Sequence, residues 1–282
     1  MTLKLIMIDL DETLLRKNKT YDEERFNRIS EQLIQAGVTM CIATGNSYHK
    51  VVEYVDVEHH KNMYYATDNG NYLVHGGQIT RAIGITPDLL REIATFIDEF
   101  EGFYIQISLG NQSYMRKVDS AGYERIRRYN NKLEMIDSFD EIDNGHLITK
   151  IAVMSDHSLE KNKVLARILN ERFEAVNAVT SGDGWIDIYT AEGGKGSAVK
   201  YLQELLGISP EASMAFGDSL NDESMMKEVL YSVAMENADH DLADSCRFQV
   251  GSNEDQAVLT TLERYIIEGN LDFMEEYRIH HI

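Results

Sequence analysis

The chain has 282 residues, which at roughly 150 residues per domain points to about two domains. Hydrophobic residues make up 43% and charged residues 26% of it, which excludes a disordered or collagen-like chain. Acidic residues number 47 against 27 basic ones, a formal charge of −20, and a surface of that sign repels nucleic acid and anionic membranes. The two cysteines, Cys41 and Cys246, have apolar neighbours and cannot build a disulfide framework, so a cytoplasmic setting is expected. No apolar run approaches the roughly 18 residues of a membrane span, and Leu5–Ile8 is too short for a signal-peptide core.

Leu3 to Asp9 reads as a strand apolar on both faces, as in a parallel sheet covered by helices. A helix follows, with capping-box spacing at Thr20 and Glu23, a stripe of Phe26, Ile29, Leu33 and Ile34, and Gly37 as its stop. A second apolar strand spans Val38 to Ala43, a short helix starts near Ser47, and a third strand, Met63 to Ala66, leads into a polar turn with Asn69 and Gly70. The middle of the chain reads differently. Thr86 and Pro87 open a helix to about Glu101, and Phe103–Leu109 and Ser113–Val118 flank Gly110-Asn111 as a hairpin. A helix is expected near Ala121–Asn131, a strand at Leu147–Met154, a helix at Leu159–Asn170, and strands at Glu174–Thr180 and Trp185–Tyr189. After Gly194 the alternation returns. Ala198, Tyr201, Leu202, Leu205 and Leu206 form a helical stripe stopped by Gly207, followed by strands at Ser213–Phe216, Ser232–Met235 and Arg247–Val250 and a last helix from about Asp255. The pattern is a doubly wound α/β core interrupted by an inserted α+β unit.

Four segments carry candidate chemistry, and three of them have a bland alternative. Asp9 and Asp11 directly follow the first strand, where open α/β sheets bind ligands. Two carboxylates so close repel unless a cation or a proton intervenes, and they suit nucleophilic and acid/base roles. The alternative is a solvated acidic loop. Gly217-Asp218, with Asn221 and Asp222 behind, offers oxygen ligands of the kind Mg²⁺ prefers; helix capping by Asp218 or Ser219 is the other reading. Thr44-Gly45-Asn46 places a hydroxyl and backbone N–H groups at a helix start, an anion site. Lys195, in Gly193-Gly194-Lys195-Gly196, opens a helix against the dipole, which phosphate binding would explain; an exposed loop lysine is the other reading. Together the four can bind a phosphoryl group and its metal.

In order and spacing these segments resemble the four motifs of the haloacid dehalogenase superfamily, and Val233-Ala234-Met235-Glu236-Asn237-Ala238 resembles its Cof-type subfamily of sugar-phosphate phosphatases. The resemblance implies a Rossmann-like catalytic core at 1–82 plus 190–282 and a class II cap, setting specificity, at 83–189. It implies that Asp9 attacks phosphorus and becomes an aspartyl phosphate, that Asp11 acts as acid then base, and that Thr44, Gly45 and Lys195 hold the phosphoryl oxygens. Mg²⁺ would lie among Asp9, Asp11 (through its backbone carbonyl), Asp218 and Asp222, with Asn221 and Asn46 in support. Asn46 stands where the family usually has Arg and Glu12 where Gly is commoner, and the segment 247–256 follows the subfamily only loosely.

For the leaving group the cap candidates are Tyr114, Arg116, Lys117, His146, Lys150 and Trp185, with Asp68 and Asn69 from the core. Surface positions for His146 and Lys150, a core position for Trp185, and turn formation for Asp68 and Asn69 are the competing readings. The expected activity is phosphate-monoester hydrolysis on small phosphorylated metabolites, sugar phosphates foremost, by a monomer or homodimer. A phosphotransferase or mutase on the same scaffold, a receiver-like phosphoaspartate signalling module and an idle binding protein are the rivals. Asp11, which promotes hydrolysis of a phosphoaspartate, and the large insertion both argue against a receiver.

Overall fold

The computed structural model describes residues 2–118, 124, 126–127, 132–181 and 184–280. Its first sheet has eight strands in the order β14-β13-β12-β1-β2-β3-β4-β5. They are β1 (Leu5–Ile8), β2 (Thr39–Ala43), β3 (Tyr64–Thr67), β4 (Tyr72–His75), β5 (Gln78–Ala82), β12 (Ser213–Gly217), β13 (Tyr231–Ala234) and β14 (Phe248–Gln249). The second sheet has six, ordered β10-β11-β9-β6-β7-β8. These are β6 (Phe103–Ser108), β7 (Ser113–Arg116), β8 (Leu133–Ile136), β9 (Lys150–Ser155), β10 (Val176–Thr180) and β11 (Trp185–Thr190).

In the first sheet β14, β13, β12, β1, β2 and β3 all run parallel, so their carboxyl ends share one edge. Leu5, Ile6, Met7 and Ile8 are fully buried because helices cover both faces. On one face lies the helix Glu23–Gln35, packed through Phe26, Ile29 and Leu33 beside the helix Ala257–Glu268. The helix Lys195–Leu206 covers the other through Ala198, Val199 and Leu202.

The α/β core agrees with the expected class, with differences of detail. Asp22, not Thr20, caps the first helix by accepting from the Arg25 N–H at 3.1 Å, while Thr20 turns to Asn18. The sheet is not wholly parallel, since β4 and β5 add an antiparallel edge. That hairpin was not expected: its first strand is only four residues long, between the Asn69-Gly70 turn and Gly76-Gly77, and its second follows directly. β8 was not expected either, and it pairs parallel with β7. The helix expected near 121–131 lies largely outside the described residues. The segment after Ser47 forms only a single helical turn, Tyr48–Val51, too short for a macrodipole to help bind an anion.

The second sheet is amphipathic with period two. Ile105, Ile107, Ile151, Val153, Ile186 and Ile188 pack on one face under the helices Pro87–Ile97 and Leu159–Arg172. Gln106, Ser108, Lys150, Ala152, Trp185 and Asp187 alternate with them on the other face and line a cavity against the first sheet.

Phe26 is fully buried and meets Tyr21 and His60 edge-to-face, with ring centroids 5.6 and 5.1 Å away. Phe26→Ala is expected to lower unfolding free energy by about 3–5 kcal/mol, read from the urea midpoint at unchanged slope.

Candidate active site

The parallel register brings the ends of β1, β2, β3 and β12 side by side, with Ile8 opposite both Phe216 and Ile42 and Ala43 opposite Ala66. Each strand therefore delivers its next residues to the same edge: Asp9, Thr44, Asp68 and Asp218. A cavity of about 540 Å³ opens there, bounded on its far side by the second sheet.

After β1 the chain makes a wide turn in which Leu14 and Leu15 donate to the carbonyls of Asp9 and Leu10. Asp9 is 5% exposed. Its Oδ1 accepts from Lys195 Nζ at 2.5 Å, and the same ammonium donates to Asp222 Oδ1 at 2.5 Å. Lys195 is fully buried at the first position of its helix. The dipole disfavours a cation there, and the two carboxylates supply the compensation. Burial works against its charge, but Asp222 and then Asp9 outweigh that and hold its pKa above the ordinary lysine value. Burial pushes the Asp9 carboxyl up to about 7; Lys195 pulls against this and Asp222 adds to it.

Asp218, Asp9 and Asp222 form one carboxylate group whose nearest oxygens lie within 4.8 Å of one another. Burial first, then the charges of Asp9 and Asp222, push Asp218 well above the usual carboxylate range, while Thr13 Oγ1 donates to its Oδ1 at 3.1 Å. Asp222 also shapes the loop: its Oδ2 accepts from the N–H groups of Asp218 and Ser219 at 3.0 and 3.1 Å. This needs a glycine at 217, where a Cβ would lie 2.6 Å from Asp222 Cγ. The capping and charged-cluster readings of this segment therefore hold together.

Asp11 stands apart from that cluster. Its Oδ1 accepts from Lys19 Nζ at 2.6 Å and its Oδ2 from Asn46 Nδ2 at 2.5 Å. Asn46 thus points to the candidate acid/base. Thr44 is buried, and its Oγ1 accepts from the Asn46 N–H at 3.1 Å. Gly45 leaves room for three side chains: a Cβ there would meet Asp187 Oδ2, Asn69 Oδ1 and Asn221 Nδ2 at 3.2, 3.4 and 3.6 Å.

Those three make a buried relay between the sheets. Asn221 Nδ2 donates to Asn69 Oδ1 at 2.9 Å, and Asn69 Nδ2 donates to Asp187 Oδ2 at 2.8 Å. Lys150 closes it, with Nζ 2.5 Å from the Gly45 carbonyl and 3.4 Å from Asp187 Oδ1. Asp68 and Asn69 both hold left-handed backbone, φ 49° and 57°, which acidic and amide side chains tolerate.

Among the cap candidates, Trp185 and Lys150 line the cavity; the surface reading of Lys150 is corrected by its 11% side-chain exposure. Arg116 is not at the site. Strand parity explains it: Ser113 lines the cavity, so Arg116 lies on the opposite face, paired with Asp98 at 2.5 Å and stacked over Phe139. Lys117 and His146 are likewise engaged away from the cavity, with Asp137 and Asp143. Tyr114 packs on the apolar cluster of the second sheet instead. Asn69 serves the relay rather than the cavity wall. Asp187, Gln106, Ser108 and Ser113 were missed, although the signal was present: Asp187 sits between Ile186 and Ile188, and Gln106 between Ile105 and Ile107, as isolated polar residues on a buried strand face.

A family profile described as haloacid dehalogenase-like hydrolase matches residues 6–262, and the chain belongs to that family. It is 26% identical over 94% of its length to 5-amino-6-(5-phospho-D-ribitylamino)uracil phosphatase YbjI of Escherichia coli, covering 97% of that protein. Against the putative phosphatase YxeH of Bacillus subtilis it is 26% identical, covering 94% of this chain and 98% of that one. The crystal structure of SMU.1108c from Streptococcus mutans superposes with a TM-score of 0.87 at 26% identity, over 94% of this chain and all of that one. The subclass IIB sugar phosphatase BT4131 shares the fold, with a TM-score of 0.78 at 17% identity over 94% of this chain and 99% of that one. The Cof-type assignment made from the motifs agrees with these matches.

Asp222→Ala would leave Lys195 paired with Asp9 alone and the Asp218 and Ser219 N–H groups without their acceptor. It is accordingly expected to lower unfolding free energy by about 2–3 kcal/mol in chelator-treated protein, measured by urea unfolding. A loss under about 1 kcal/mol would mean that relief of repulsion among the carboxylates offsets the broken pair.

Proposed function

We propose that this hydrolase is a Mg²⁺-dependent phosphatase that acts on small phosphorylated metabolites, sugar phosphates among them, through an aspartyl phosphate on Asp9. The observation that carries the reading is the juxtaposition of Asp9 with a buried lysine and two further carboxylates at the floor of a cavity. The names of the relatives, phosphatases throughout, support it.

The residues fit a divalent cation. Lys195 brings one positive charge to three carboxylates, Asp9, Asp218 and Asp222, so fully ionised the set carries 1 − 3 = −2. All the donors are oxygens, as a hard cation requires. Asp9 and Asp218 would hold the ion with the Asp11 main-chain carbonyl, and Asp222 would orient the shell through the loop it braces. When bound, the ion supplies Lewis-acid polarisation of a phosphoryl oxygen and screens nucleophile from substrate.

Asp9 Oδ attacks phosphorus in line; the P–O bond to the leaving group breaks, and Asp11 gives that oxygen a proton. Asp11 then takes a proton from the water that cleaves the acyl phosphate, releasing inorganic phosphate and restoring Asp9. Lys195 and Thr44, with the backbone at Gly45, hold the phosphoryl oxygens as charge redistributes. Asn46 orients Asp11. The second sheet is the cap, its polar face closing the cavity over the leaving group, with the domain limits given above. A cytoplasmic setting is supported by two buried free thiols, both pushed up to about 12 by burial. Among the described residues no helix is long and apolar enough to cross a membrane.

Release of phosphate from an aryl phosphate should require Mg²⁺ and fall by about 10³-fold or more in Asp9→Asn; inactivity of the wild type across a broad panel of phosphomonoesters sinks the reading. Separately, Mg²⁺ should raise the melting temperature of chelator-treated protein, by linkage equivalent to about 2.7 kcal/mol at one hundred times Kd, and Asp218→Ala should lose that rise.

A further inference from the structure

The polar face of the second sheet contains atoms that the fold leaves unused. The β-register sets two rows across it: Lys150, Ser108 and Ser113 are cross-strand neighbours in one, and Asp187, Ala152 and Gln106 in the next. Lys150 and Asp187 are committed to each other and to the relay. Ser108 Oγ donates to Asp68 Oδ2 at 2.7 Å, and Thr149 Oγ1 donates to the same oxygen at 2.7 Å. Asp68 Oδ1, Gln106 Oε1 and Ser113 Oγ have no hydrogen-bond partner. All three side chains line the cavity and are at least nine-tenths buried, with exposures of 0, 8 and 0%. Buried polar atoms are almost always paired, so three unpaired ones on one cavity wall call for a ligand.

We propose that Asp68, Gln106 and Ser113 form a subsite that takes hydrogen bonds from the hydroxyl groups of a neutral, polyhydroxylated leaving group and so selects among phosphate monoesters. This rests on the phosphatase reading and specifies which esters it favours. The chemistry follows from the atoms. A carboxylate oxygen and an amide carbonyl oxygen present lone pairs only, and a serine hydroxyl can accept as well as donate. A second anionic group would meet repulsion from the first two, and an alkyl group would leave all three unpaired. Hydroxyl donors satisfy them. The left-handed turn at Asp68 and Asn69 serves this arrangement by handing one side chain to each row: Asp68 to Ser108, Asn69 to Asp187. Burial pushes the Asp68 carboxyl up to about 6 against the pull of Lys150, so above that pH it stays ionised and accepting.

The test separates the subsite from catalysis. Asp9→Asn protein is titrated calorimetrically with D-ribitol 5-phosphate, D-glucose 6-phosphate, D-fructose 1,6-bisphosphate and butyl phosphate, while wild-type turnover of an aryl phosphate is measured alongside. At least one of the two neutral-tailed polyol esters should bind about tenfold or more tighter than butyl phosphate, the equivalent of one well-made hydrogen bond. The bisphosphate should not gain over them. Ser113→Ala and Gln106→Leu, singly and together, should shrink that ratio to within about twofold, through KM rather than kcat in the active enzyme. Ser113→Ala removes one oxygen and keeps the packing, so it reads the subsite even where Gln106→Leu misfolds. Equal binding of all four esters, tightest binding of the bisphosphate, or a polyol preference that survives the substitutions overturns the proposal. A preference that follows the prediction in protein that hydrolyses neither the aryl phosphate nor any of the four esters keeps the subsite and removes the phosphatase reading.

Discussion

Everything at this site is arranged around one buried ammonium group. Lys195 is fully buried, and a lone charge at that depth would be prohibitively desolvated. Asp9 and Asp222 meet it at 2.5 Å each, from the ends of two adjacent parallel strands. The pairing explains features that otherwise look unrelated. Gly217 is required because Asp222 folds back against it to reach both the lysine and the loop N–H groups. Gly194, at φ 94°, turns the chain so that the helix begins with its lysine aimed at the sheet edge. Gly196 allows that helix to touch the Ser224 carbonyl, 2.4 Å from where a Cβ would be. Three glycines thus serve one charge.

A second constraint joins the sheets. Asn71 Nδ2 donates to the carbonyls of Asp68 and Thr149 at 2.8 and 3.0 Å, while its Oδ1 accepts from the Gly194 N–H at 3.2 Å. The β3–β4 loop therefore contacts, within four residues, the lysine helix, the Asn221 loop and the second sheet. Such a polar network fixes geometry more than it adds stability, because each bond replaces one to water. Its use here is positional: it sets the distance between the wall that carries Asp68 and the floor that carries Asp9.

The core was legible in the sequence because its signals are local. Continuous apolar runs followed by Asp9, Thr44 or Asp218 are what a buried parallel strand ending at a ligand edge must look like, and register then makes them neighbours. The second sheet was legible as a fold but much less so as a surface. Arg116 attracted attention as a cation on a strand, yet the side it faces depends on parity, which a single strand with mixed faces does not declare. Lys150 looked like a surface residue because its partners, Gly45 and Asp187, lie 105 and 37 positions away. Asn46 departs from the family's usual arginine, and only three-dimensional contact with Asp11 gives it a role. What escaped was long-range pairing, which no periodicity encodes.

The charge of −20 has to be reconciled with a site meant for an anion. At physiological ionic strength fields from exposed charges fade over about 8 Å, so most of the surface acids do not act inside the cavity. Four lysines do lie within or beneath it, but each is already matched: Lys195 to Asp9 and Asp222, Lys150 to Asp187, Lys19 to Asp11 and Lys50 to Glu53. None contributes an unopposed positive charge. Attraction for a phosphate therefore cannot come from the lysines alone; it requires something that removes the surplus of carboxylate, by protonating it or by binding a cation. Burial first, and the neighbouring carboxylates after it, raise Asp9 and Asp218, so these are the carboxyls whose charge is hardest to keep. A site of this kind couples its affinity for the anion to its occupancy by a cation, because the cation removes the repulsion the anion would face and the anion adds to the charge that holds the cation.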